Sequence, residues 1–146
     1  MSNTRAFALV FGIIFLLMGI AGFIPGLLSP PDQPIAVNAM HGRLLGLFPV
    51  NAVHDLAHLV FGVWGIVAYR TLSGSLLYAR VVAIAYGVLV IMGLIPGLNV
   101  VFGLMPIHGN DVWLHLILAA VAAYFGFFAH ERLTAEEPTR RRATVR

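Results

Sequence analysis

The sequence predicts an all-α polytopic membrane protein, a four-transmembrane-helix bundle made of two parallel-repeat helical hairpins. Three observations carry that prediction. The chain is 60% hydrophobic and 10% charged, whereas a soluble domain keeps about a quarter of its residues charged. Four apolar runs, 6–24, 51–69, 80–95 and 111–130, approach the ~20 residues a helix needs to cross the hydrocarbon core. A pattern is also written twice, LGLFPVNAVHDLAH at 45–58 and FGLMPIHGNDVWLH at 102–115. With an offset of 57 and no gap, Gly46 falls on Gly103, Pro49 on Pro106 and His58 on His115.

Span one runs to Pro25 and span three to Pro96, because proline removes a helix donor and clashes with the preceding turn. Gly22-Phe23-Ile24-Pro25-Gly26 is echoed by Gly93-Leu94-Ile95-Pro96-Gly97, 71 residues later. Span one is longer than a signal-peptide core and matches span three, so it is expected to belong to the fold. Ser29 to Pro34 reads as a stiff extended stretch. Apolar residues from Ile35 to Phe48 recur at loosely helical spacing and predict a short helix lying in the interface. Span two opens just after Pro49. Residues 70–79 read as a tight loop around Ser73-Gly74-Ser75, with span three reaching back to Leu76 or Leu77. Pro106 precedes span four. Small residues mark helix contacts: Gly12, Gly19 and Gly22, then Gly62 and Gly65, then Ala119 with Ala123 and Ala122 with Gly126.

The domain organisation expected is one transmembrane unit over 1–131, with repeat one at about 6–69 and repeat two at about 77–130. A basic tail, 132–146, is polar, contains Pro138 and is expected to be disordered. All nine basic residues are Arg. Arg5, Arg70, Arg80 and the tail group lie on one side of the spans and only Arg43 on the other. The positive-inside rule then makes both termini cytoplasmic, in a bacterial inner membrane, with 25–50 and 96–110 facing outward. The same distribution is topological charge, so no nucleic-acid partner is expected despite a pI near 10.0.

The absence of cysteine excludes disulfides, thiolate ligands and a Cys nucleophile. No nucleotide-binding, hydrolase or zinc-protease motif is present, so an enzyme is the lesser expectation. Polar groups instead gather where spans two and four begin. Asn51, His54, Asp55 and His58 occupy adjacent turns of span two; Asn110, Asp111 and His115 open span four. Ionisable groups inside spans are costly and face a bundle interior or cavity.

Three readings of this cluster stand. His54, His58, Asp111 and His115 form a metal site for zinc, iron or copper, with Asn51, Asp55, His108 and Asn110 around it. Alternatively, His58 and His115 ligate a haem from both sides. In the third, the polar groups satisfy one another: Asn51 and Asn110 as helix N-caps, Asp111 complementing the helix dipole, His–Asp pairs as interhelical glue. His41, His108 and His130 read as loop or helix-end residues, His108 being near enough to serve as a lid or extra ligand. Trp64 and Trp113 read as interfacial anchors, Trp113 on the outer side.

Gly22 to Gly26, Leu45 to Asn51 and His54-Asp55-Leu56-Ala57-His58-Leu59 resemble the bacterial four-span membrane proteins catalogued as domain of unknown function 4383. There the second span reads V-N-x-x-H-N-x-x-H, so Asp55 stands where Asn is usual. The resemblance implies the fold and the membrane but no activity, substrate or cofactor. The function expected is therefore binding of a transition metal or histidine-ligated cofactor near the outer face. The alternatives are a non-enzymatic accessory subunit of a larger membrane complex, or a homo-oligomer, and a haem- or quinone-linked redox component.

Overall fold

A computed structural model describes residues 1–129 of the chain. It is mostly helical: α1 (Asn3–Gly22), α2 (Ala52–Ala68), α3 (Leu72–Leu94) and α4 (Asn110–Ala123), the last continued by a π-helical turn, Tyr124–Phe128. Asn3–Gly22, Leu72–Leu94 and Asn110–Phe128 are each long and apolar enough to cross a membrane; α2 is a shorter apolar helix. The sequence expectations for His130 and for the tail at 132–146 lie outside the described residues.

The helix starts follow from local chemistry. The side chains of Ser2, Asn51 and Thr71 accept hydrogen bonds from the amides of Arg5, His54 and Gly74, satisfying donors that have no partner in the first turn. The Thr71 cap overturns the loop expected at 70–79, because Ser73, Gly74 and Ser75 form the first turn of α3. Ser75 Oγ donates to Ala68 O at 3.1 Å and to Thr71 O at 2.9 Å, which stitches the end of α2 to that turn.

Segment 35–48 is not the interface helix that its apolar spacing predicts. A small antiparallel sheet stands there instead: β1 (Leu28–Ser29), β2 (Gly42–Leu44) and β3 (Phe48–Val50), in that order. Leu44 pairs with both Leu28 and Phe48 and is buried, as is Val50. Leu45 and Gly46 have positive φ, 53° and 74°, and so make the tight reversal between β2 and β3. Helical spacing lost to this turn, because a left-handed pair cannot continue a right-handed helix.

The bundle is held by close backbone approach. A Cβ placed on Gly12 would lie 2.7 Å from Ile66 N and 2.9 Å from Gly62 O, and one on Gly65 2.7 Å from the Cα of Gly12. Ala8, Gly12, Gly62 and Gly65 are matched by the buried small residues Ala79, Ala83, Ala119 and Ala122 at the offsets of 71 and 57. Aromatic rings meet between α1 and α3 in the same correspondence. Phe7 lies 6.2 Å from Tyr78 and Phe15 5.4 Å from Tyr86, ring centre to ring centre, and each pair is 71 apart in sequence.

At the end away from the histidines, Arg5 Nε donates to Tyr69 O at 2.7 Å and Arg80 Nε to Gly126 O at 2.8 Å. Tyr69 and Gly126 are 57 apart, so two arginines on odd helices bind matching carbonyls on even ones. Gly87 differs from the packed glycines in having nothing within 4 Å of a Cβ. Gly87→Ala is expected to raise stability in detergent by up to about 1 kcal/mol through helix propensity alone, as read by thermal unfolding.

Candidate functional site

The histidine end of the bundle is built by α2 and α4 side chains that cross toward each other. Helical geometry sets His54 and His58 one turn apart on α2, and Asp111 and His115 one turn apart on α4. His54 falls on Asp111 and His58 on His115 at the 57-residue offset. All four are buried. One ligand nitrogen from each of His54, His58 and His115 lies within 4.8 Å of the others. The rings of His54 and His58 are 4.6 Å apart at their centres, and those of His54 and His115 5.8 Å.

Asp111 stands beside the triad rather than among the mutually close ligand atoms. Its Oδ2 is 3.2 Å from His115 Nδ1, close enough for an ion pair but not aligned as a hydrogen bond. The Nδ1 atoms of His54, His58 and His115 have no hydrogen-bond partner among the described residues. Buried polar atoms are nearly always paired, and the two of these nitrogens without a carboxylate beside them, on His54 and His58, require a reason. Phe15 stacks on His58 at 5.8 Å and Tyr86 sits edge-on to His115 at 4.6 Å. The pattern of histidines and carboxylates marks neither aromatic, although Phe15 and Tyr86 are themselves related by the 71-residue offset.

Asp55 faces away from the triad, onto α1. A Cβ on Gly22 would overlap its carboxylate, so the missing side chain at 22 is what admits Asp55. At the matched place Gly93 receives Val112. Both Asp55 oxygens are buried with no hydrogen-bond partner among the described residues.

Asn51 does more than cap α2. It is fully buried, and its Nδ2 donates to Val37 O and to Leu104 O, both at 2.8 Å. A backbone bond from Val37 N to Gly103 O, 3.1 Å, joins the same two loops. Asn110 is not an N-cap: Gly109 takes that place, and Asn110 Nδ2 donates to Leu47 O at 3.4 Å. Leu47 and Leu104 are 57 apart, and the loop before α4 is tied to the start of α2 as the loop before α2 is to the start of α4. Asn51→Ser keeps the cap but withdraws both donors from carbonyls. A loss of about 1–2 kcal/mol is expected, against little change for Asn110→Ala, as measured by denaturation in detergent.

His41 and His108 lie in the loops. Burial lowers the proton affinity of both imidazoles, the nearby Asp32 charge opposes it, and His41 lowers His108 further. His108 thus lies near Asp32 and His41 and is not in the triad. Asp32 also pairs with Arg43 at 3.1 Å. Trp113 is exposed on the first turn of α4, whereas Trp64 packs edge-on to Tyr78 at 5.3 Å.

The family model described as Domain of unknown function (DUF4383) matches residues 5–128. The chain belongs to that family. The match takes in the sheet, every histidine of the triad and all of the helical bundle except the first two residues of α1. No curated protein and no solved structure matches the chain.

Proposed function

We propose that this chain is an integral inner-membrane protein whose four helices all span the bilayer, and that it binds a transition metal ion through His54, His58 and His115. The observation that carries the metal reading is the convergence of three buried imidazoles from two helices, with the Nδ1 atoms of His54 and His58 lacking a hydrogen-bond partner among the described residues. Imidazole suits zinc, copper and iron, and three protein nitrogens leave a fourth position for water or another ligand. Asp111 lies 3.2 Å from His115 Nδ1 and would orient that imidazole through it, leaving Nε2 for the ion, the arrangement usual for metal-bound histidine. If the polar groups served only one another, their nitrogens would be paired. A flat macrocycle between His58 and His115 would have to displace His54, which favours a bare ion over haem. Elemental analysis of purified protein tests the reading: bound zinc, copper or iron supports it. A haem absorption band, or no metal after exposure to all three ions, would reject it.

The matched small residues, the Phe7–Tyr78 and Phe15–Tyr86 contacts and the matched carbonyls favour two parallel hairpins about an axis along the membrane normal. Contacts between equivalent positions are what a two-fold relation produces. With Arg5, Arg70 and Arg80 opposite the histidines, both termini are cytoplasmic. An N-terminal reporter that works only in the cytoplasm is expected to be active; activity from a reporter that works only outside would refute the orientation.

A further inference from the structure

Two matched turns at the histidine end have a feature that neither the metal site nor the packing of the bundle uses. Leu45 and Gly46 have φ of 53° and 74°, and Phe102 and Gly103, 57 residues on, have 58° and 83°. Each pair is closed by a tight backbone bond, Leu47 N to Leu44 O at 3.0 Å and Leu104 N to Val101 O at 3.1 Å. The first centre of such a turn favours Asn, Asp or Gly, because a side chain there is strained. Leucine and phenylalanine hold those places instead, and they are 63% and 77% exposed. Leu47 and Leu104 beside them are exposed as well. A strained backbone that offers an apolar side chain outward, twice, has a use outside the polypeptide.

The depth of the tips is set by the polar ties already described. Asn51 holds Leu104 and Asn110 holds Leu47, so both turns lie level with the first residues of α2 and α4 rather than rising from them. Asn110–Phe128 has 19 residues, about 28 Å at ~1.5 Å per residue, close to the ~30 Å hydrocarbon core. Helix starts, and the turns tied to them, therefore fall at the boundary between head groups and acyl chains. Trp113, 63% exposed on the first turn of α4, is the residue type that favours this boundary. The base of the first hairpin is polar, with Arg43 paired to Asp32.

We propose that Leu45 with Leu47, and Phe102 with Leu104, are twin anchors that dip into the lipid leaflet on the histidine side. Their ligand is the acyl region of a phospholipid just below the head groups. By holding both turns down, the leaflet keeps the Asn51 and Asn110 ties closed over the helix starts. The proposal rests on the membrane-spanning reading and not on metal binding.

The chain has no cysteine, so a single label can be placed without background. Leu45→Cys and Phe102→Cys, each carrying an environment-sensitive fluorophore, are placed as full-length chains in phosphatidylcholine vesicles. Part of the lipid is brominated near the head-group end of its chains. Blue-shifted emission, lost largely to the brominated lipid and little to aqueous iodide, is expected at both sites. Water-like emission quenched by iodide would overturn the proposal. So would a label protected from both quenchers, because a protein contact, a second copy included, would then cover the tip. Leu47→Cys and Leu104→Cys report the same surface if labels at the strained positions prevent folding. Ile117→Cys, exposed midway along α4, is the insertion control. If it escapes the brominated lipid, the membrane reading itself falls.

Discussion

Loss of metal in the His58→Ala, His115→Ala double variant is the largest functional effect expected. Wild-type protein dialysed against zinc, copper or iron should retain about one ion per chain, and the double variant essentially none. Removing a group that only orients a metal-bound histidine costs about 10–100-fold in affinity. Deleting two of three donor imidazoles must exceed that range. Asp111→Asn should fall within it, since Asp111 touches His115 and not the centre of the triad. His54→Ala should weaken binding more than Asp111→Asn, because His54 lies close to both other rings. Gel filtration in detergent separates a folded variant from a collapsed one. Equal metal content in folded wild type and folded double variant would remove the metal reading.

The largest stability effect is expected at Gly12. The three nearest atoms to a Cβ there are all backbone: Ile66 N, Gly62 O and the carbonyl carbon of Gly65. Overpacking costs about 1–3 kcal/mol where side chains can move aside. Backbone atoms yield only if α1 and α2 separate, which would also withdraw Phe15 from His58. Gly12→Leu is therefore expected to exceed that range and to lose the folded protein, seen as aggregation in place of a single gel-filtration peak. Gly12→Ala should produce a smaller loss of the same kind. A Gly12→Leu protein with wild-type thermal stability would mean that the hairpin is not closed through this glycine.

Much of the candidate site was legible because its signals are local. His54, His58, Asp111 and His115 sit at helical spacings that one turn enforces, and the repeat marked His58 and His115 as a pair. The contact between Asp111 and His115, four residues apart, is of this kind. The N-cap that the third reading puts at Asn110 fails for a reason equally local. A side-chain amide before an apolar run resembles a cap, but Gly109, at φ 63°, starts the helix one residue earlier. The Ile35–Phe48 helix failed because spacing records which residues are apolar and not which strand will pair with them. Leu28 meets Leu44 across 16 positions, and no helical period can register that.

The sequence by itself determined the apolar segments, their proline-terminated ends, the recurrence of one residue pattern at an offset of 57 and the residue types able to hold a metal. Each depends on composition or on neighbours within a turn or two, where hydropathy and helix geometry act directly. Only the tertiary structure decided that Asn51 joins two loops, that Asp55 fills the space Gly22 leaves, and that Phe15 and Tyr86 wall the triad. Those contacts join positions 14 to 71 residues apart. They exist because burial leaves each polar or bulky group few places to go, and which place remains is settled only when the helices close.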